Sequence, residues 1–248
     1  MKVIYHEDFN QSYCSDPAAA PGRIEAVVKA ISNRVTFVPA VPANMEDIAA
    51  VHTKSHINRV NSEAIYDIAA LAAGGAIQAA EIGLEEPCFA LIRPPGHHAS
   101  AGSAWGFCYF NNMAVALEKL KRENRIQTAF VLDIDLHFGD GNVNILEGRG
   151  YVTIYNPTAS NPEDYLESVK KHLFSTKVDL IGVSAGFDNH AEDWGGLLST
   201  SDYRDIGKIV REASRQHGGG CFAILEGGYN HRVLGQNVMA FIEGMEEC

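Results

Sequence analysis

Thr128-Ala-Phe-Val-Leu-Asp-Ile-Asp-Leu-His-Phe-Gly-Asp-Gly141 places Asp133, Asp135 and His137 at every second position after a short apolar run. Residues 129–132 read as a buried strand. Side chains of a strand alternate faces with period two. One face then carries Phe130, Leu132, Ile134, Leu136 and Phe138, all expected to pack; the other carries Ala129, Val131 and the three polar residues. Ligands of parallel α/β sheets bind beyond the carboxyl ends of the strands. Asp135 and His137 offer an oxygen and an imidazole nitrogen, which suit zinc or a similar divalent ion. The same residues suit an ion pair or an acidic strand end before a glycine turn, so the metal reading rests on partners elsewhere.

Those partners are His97-His98, Asp140, Asp188 and Tyr229. Taken one by one, a His pair suits a surface, an Asp after Ala-Gly-Phe suits a turn, and a Tyr after Gly-Gly suits packing. Together they fill every role in metal-assisted amide hydrolysis. Asp135, His137 and Asp188 give three ligands and leave a position open, as catalytic zinc requires. One histidine of the pair can act as general base while the other assists the leaving amine. Asp133 and Asp140 can each accept an imidazole N–H and fix its tautomer. Tyr229 can donate to the carbonyl oxygen as it gains charge.

Strands must bring these groups to one edge. Residues 2–5, 35–38, 88–92, 151–155, 178–184 and 221–225 read as further strands. Helices are expected over 22–33, 45–51 capped by Asn44, 56–60 capped by Ser55, 64–84, 112–122 capped by Asn111, 142–146, 162–174 capped by Asn161, 200–217 and 233–245. The Gly74-Gly75 pair inside the long helix implies close helix packing. Alternating strands and helices predict an α/β fold, three layers α/β/α with a single mainly parallel sheet, in one domain over 1–248. Polar groups lie within a few residues of the strand ends at 92, 133, 184 and 225, where they can converge.

Composition narrows the partners. Twenty Lys and Arg against 31 Asp and Glu leave a net charge of −11, which argues against nucleic acid and mildly favours cationic substrates. The 46% hydrophobic content is that of a soluble globular protein. The most apolar long segment, 64–84, is broken by Asp67, Gln78 and Glu81, so no membrane span is expected. The strand-like start predicts no secretory signal. Five cysteines without CxxC spacing predict free thiols and a cytoplasmic location. Cys14 and Cys108 are the thiols placed in loops near strand ends.

Arg93-Pro-Pro-Gly-His-His-Ala99, Gly106-Phe-Cys-Tyr-Phe-Asn-Asn112, Asp133-Ile-Asp-Leu-His137, Ser184-Ala-Gly-Phe-Asp188 and Leu225-Glu-Gly-Gly-Tyr229 occur in an order that resembles the histone deacetylase family, which includes acetylpolyamine amidohydrolases and acetoin-utilisation proteins. The resemblance implies the arginase–deacetylase fold and removal of an acetyl or short acyl group from an amine such as acetyl-lysine or an acetylated polyamine. It implies zinc (Zn2+), or alternatively Fe2+, on Asp135, His137 and Asp188, and potassium (K+) near Asp133. His98 matches the general base, His97 its electrostatic or acid partner, Asp133 and Asp140 their carboxylates, and Tyr229 the carbonyl-polarising phenol. Phe107 matches one aromatic channel wall, with Gly106, Gly227 and Gly228 as substrate contacts.

Several positions depart from the family. Phe138 stands where most relatives carry a second His, a packing change by this reading. The loops at 60–64 and 156–160 are short, and the second offers no Phe for the opposite wall. The pocket is then shallow, or its rim comes from another subunit, and a homo-oligomer is expected. Gly195 occupies the position of an acidic gate in polyamine-specific relatives, with Glu192 and Asp193 nearby, and His190 is expected at the rim. The competing readings are an arginase-like dimanganese ureohydrolase and a non-catalytic acyl-amine-binding protein.

Overall fold

The computed structural model describes residues 1–247. Seven strands, β1 (Lys2–Tyr5), β2 (Thr36–Pro39), β3 (Cys88–Ala90), β4 (Ala129–Asp133), β5 (Val152–Tyr155), β6 (Leu180–Ala185) and β7 (Gly220–Leu225), form one sheet in the order β2-β1-β3-β7-β6-β4-β5. Every pairing is parallel. The central strands β4, β6 and β7 are buried throughout, as continuous apolar runs in a doubly covered sheet should be. The edge strands β2 and β5 are only partly covered.

Helices α1 (Arg23–Ile31), α7 (Pro162–Ser175), α8 (Thr200–His217) and α9 (His231–Glu246) pack in series. Helices α4 (Tyr66–Gly83), α5 (Asn112–Arg122) and α6 (Asp140–Leu146) form the other series, joined by the short α2 (Met45–Ala49) and α3 (Lys54–Ser62). The helix ends follow their capping chemistry. Asn44, Asn111 and Asn161 accept backbone N–H groups at their helix starts as expected, and Ser199 with Asp202 forms a capping box on α8.

Three local expectations need correction. The cap of α3 is Thr53, not Ser55: its hydroxyl accepts from His56 N–H. Helix α4 starts at Tyr66 because Ala64 sits at φ +57°, outside helical space. The close approach at Gly74 is to a loop, not to a helix. A Cβ there would lie 1.9 Å from the Val41 carbonyl oxygen, beside a hydrogen bond from Ala43 N–H to Ala70 O of 2.8 Å.

The four strand ends singled out by polar residues belong to β3, β7, β6 and β4, which are consecutive in the sheet. The sheet order thus places their loops side by side at one edge. Strand geometry ends at Asp133, however. Beyond it, Asp135 N–H turns to Asp133 Oδ1, Leu136 N–H to Asp188 Oδ1 and His137 N–H to Asp135 Oδ1. The backbone curls around carboxylates, so strand alternation no longer decides burial. Leu136 is 37% and Phe138 60% exposed, contrary to the expectation that both pack.

Candidate metal and active site

Asp135 and His137 on the β4 loop and Asp188 on the β6 loop present ligand atoms that all lie within 4.8 Å of one another. His137 Nδ1 is 3.1 Å from both Asp135 Oδ1 and Asp188 Oδ2. Asp188 Oδ2 is buried and has no well-aligned hydrogen-bond donor, only the His137 ring beside it. The remaining carboxylate oxygens are held by backbone: Gly227 N–H donates to Asp135 Oδ2 at 2.8 Å, and Leu136 N–H to Asp188 Oδ1 at 3.0 Å. The free lone pairs therefore face one point. Asp188 is pushed up to about 6 by burial and by the like charge of Asp135, and His137 up to about 10 by hydrogen bonds with Asp135 and Asp188. The cluster calls for positive charge at its centre, which a divalent cation supplies. An orphaned buried oxygen and a mixed oxygen and nitrogen donor set fit such an ion.

Both tandem histidines come to this centre. His97 and His98 have ring centroids 4.0 Å apart. His97 Nδ1 lies 3.1 Å from Asp133 Oδ2, and His98 Nδ1 lies 2.7 Å from Asp140 Oδ1. Each imidazole thus has its own carboxylate, and the two differ in charge. Burial alone would lower His97, but Asp135 and Asp133 outweigh it and hold the ring well above its ordinary value. His98 is lowered to about 4 by burial and by neighbouring His97, so it is neutral near pH 7. Tyr229 is kept protonated by burial and by Asp135. Its ring meets Phe107 edge-on at 5.9 Å.

Gly106 and Phe107 are both left-handed, at φ +57° and +67°. A Cβ on Gly106 would fall 2.4 Å from His98 Cδ2, so glycine is required by space as well as by φ. Phe107 has no such excuse, and its conformation is a local strain that aims the ring at the cavity. That cavity, about 120 Å3, is lined by His97, His98, Phe107, His137, Trp194, Tyr229 and their neighbours Gly106 and Gly227. Gly228 is not in the lining; its carbonyl accepts from Arg23 Nε at 2.8 Å. A larger cleft of about 520 Å3 lies between His6 and Leu71, but it lacks converging histidines and metal-ligand geometry, so the chemistry belongs to the smaller one.

Several contributors were not read from the sequence. Glu226 is fully buried, takes Gly96 N–H at 2.7 Å and His97 N–H at 3.3 Å, and is pushed up to about 7 by burial. It anchors the tandem histidines through their backbone. Asn142 Nδ2 donates to Asp133 Oδ2 and to Ser184 Oγ. Arg23, also buried, donates to the Gly228 and Glu226 carbonyls with its guanidinium 5.5 Å from the Tyr229 ring centre. Trp105 stacks on His98 at 3.8 Å and donates Nε1–H to Asp140 Oδ2 at 2.9 Å. A usable signal existed for the tryptophans: the chain has two, and each lies within six residues of a named site residue. His190 is not at the rim; it is buried, with Nδ1 accepting from Glu192 N–H.

Comparison with known proteins is consistent with this geometry. The family model described as the histone deacetylase domain matches residues 61–157 and 152–245. A "Probable deacetylase" of Methanothermobacter thermautotrophicus is 30% identical over 99% of this chain and 91% of its own length. A "Histone deacetylase-like amidohydrolase" of Pseudomonas aeruginosa is 28% identical over 87% of this chain and 72% of its own. The crystal structure of the HDA15 HD domain superposes with a TM-score of 0.83 at 23% identity, covering 98% of this chain and 88% of that one, which gives the sheet and helices the arginase–deacetylase arrangement. No helix among the described residues is long and apolar enough to cross a membrane.

Proposed function

This chain belongs to the histone deacetylase family and is a deacetylase-type hydrolase, and we propose that it removes acetyl or another short acyl group from an amine, using zinc held by Asp135, His137 and Asp188. The observation that carries the reading is that Asp135, His137 and Asp188 gather their ligand atoms in one cluster, and that His137 of that cluster lines the same small cavity as His97, His98 and Tyr229. Asp135, His137 and Asp188 would hold the ion, which would supply Lewis-acid polarisation of the amide carbonyl and a lowered pKa for a bound water.

The protein's own groups divide the proton traffic. His98, neutral and oriented by Asp140, accepts the proton of the attacking water. His97, paired through Nδ1 with Asp133, is placed to stabilise the developing negative charge and to supply a proton to the leaving amine. Tyr229 donates its hydroxyl hydrogen bond to the carbonyl oxygen as that oxygen gains charge. Buried Asp133 lies where the resemblance puts a potassium ion, and we keep K+ there as part of the proposal. The small cavity volume supports short acyl chains. The net charge of −11 supports an amine substrate that is cationic once released.

The test is turnover of acetyl-lysine reporter peptides and acetylated polyamines, with and without chelator. Activity that a chelator abolishes and zinc restores is expected. Asp188→Ala should lose bound metal and lower kcat by at least about 10^3-fold. Retention of metal by that variant would mean another residue completes the ligand set. Two manganese ions per chain would point instead to the ureohydrolase reading.

A further inference from the structure

Resting on the deacetylase reading, we propose that Trp194 is the second wall of the substrate channel and its specificity-determining residue, and that Asp193 is the positioning residue that sets this wall against Tyr229.

The short segment after β5 does not serve this purpose. Residues 157–160 line a separate groove with Leu136 and Leu197. Trp194 instead comes from the loop that carries Asp188. Its ring lies 4.1 Å from that of Tyr229, with 26° between planes, and meets His137 edge-on at 6.0 Å. Phe107 approaches Tyr229 edge-on at 5.9 Å. Both rings border the cavity that holds the histidines. A chain entering toward His137 therefore passes aromatic surface contributed by both.

Trp194 is 52% exposed, yet its backbone is pinned. Asp193 Oδ2 accepts from Tyr229 N–H at 2.8 Å and from Asn230 N–H at 2.7 Å, while Asp193 Oδ1 accepts from the N–H of Trp194 itself at 2.9 Å. Asn230 Nδ2 returns a hydrogen bond to the Glu192 carbonyl, and Gly195 N–H donates to Asp188 O at 2.8 Å. One carboxylate thus latches the metal-ligand loop to the Tyr229 loop, and charge-assisted bonds to three N–H groups make a firm latch. A wall fixed before substrate arrives costs less ordering on binding.

The chain's tryptophans are Trp105 and Trp194, so the emission that wild type shows and Trp194→Phe lacks reports on the channel wall. Titration with doubly blocked Nε-acetyl-lysine should quench or shift this emission with a midpoint that tracks KM. Trp194→Ala should raise KM about 10-fold with kcat within about 3-fold, and Trp194→Phe should recover most of that loss. Asp193→Asn should raise KM as well and lower kcat about 10-fold; combined with Tyr229→Phe it should cost no further kcat, since its kinetic effect passes through Tyr229. An unchanged KM in Trp194→Ala, or emission indifferent to ligand, overturns the wall. An Asp193→Asn loss that adds in full to that of Tyr229→Phe overturns the latch. A wild-type chain that turns over no acylated amine overturns the deacetylase reading itself and this proposal with it.

Discussion

Asp133, Asp135 and Asp188 are at most 6% exposed, and each carboxylate accepts at least one hydrogen bond from the protein. Trp105 and Trp194 are more than half exposed and held by ring stacking, with one side-chain hydrogen bond for Trp105. The floor is fixed by the ends of β3, β7, β6 and β4, which are adjacent in a rigid sheet. The mouth is fixed by loops, and loops can change residue type without disturbing the sheet beneath. A floor built this way preserves one chemistry, whereas the mouth can be retuned for different acylated amines. Tyr229 lies at their junction: its backbone N–H is latched by Asp193, its ring faces Phe107 and Trp194, and its place in the chain follows β7.

The sharpest way to break this division is therefore at the junction. Tyr229→Phe should lower kcat by about 10^2- to 10^3-fold, the range expected for removing one preorganised donor to a developing oxyanion. KM and metal content should stay close to wild type, because the ring and the ligand set are untouched. Steady-state kinetics with metal analysis reads all three. A loss of metal in this variant would tie the phenol to the floor rather than to the carbonyl oxygen.

The same division explains what the sequence made legible. The period-two spacing of Asp133, Asp135 and His137 pointed to side chains that the structure gathers although the strand stops at Asp133, because carboxylate-to-backbone bonds replace the ladder. The strand-and-helix alternation was enough for a parallel three-layer fold, since each buried strand is mostly apolar and its polar residues lie at the carboxyl end. Glu226 is not legible because a buried glutamate looks like any other in sequence; only its bonds to Gly96 and His97 N–H groups mark it. Trp194 is not legible as a wall: its rarity and its place six residues after Asp188 mark it, but nothing local says which loop faces the cavity.

A smaller effect separates mouth from floor by pH. His52 lies beneath the 99–111 segment that carries Trp105 and Phe107, taking Asn111 N–H on Nε2 at 2.9 Å with Nδ1 3.1 Å from the Ser100 carbonyl. Burial, and then His56, lower it to about 3. The folded chain thus holds this ring neutral, whereas the unfolded chain protonates it below about 6.5. Its contribution to stability is present above pH 6.5 and is lost as pH falls toward 3. At pH 5 the loss amounts to about 2 kcal/mol. Thermal unfolding should show a fall in Tm between pH 7 and pH 5 that shrinks in His52→Gln, whose amide can keep one donor and one acceptor. An identical pH slope in both proteins would remove His52 as the source.

The smallest expected effect concerns Phe138, which the alternation rule placed in the core and the structure places at 60% exposure. Trp105, Leu136, Phe138 and Trp194 are four of the six large apolar side chains exposed among the described residues. Phe138 is open to solvent, so Phe138→Ser removes little burial and should leave unfolding free energy within about 0.5 kcal/mol of wild type. Values of kcat and KM should also hold, since Phe138 does not line the cavity. Chemical denaturation at two protein concentrations measures this. A clear loss of stability that deepens on dilution would mean that a second copy covers this side of the mouth, and the mouth would then belong to two chains rather than one.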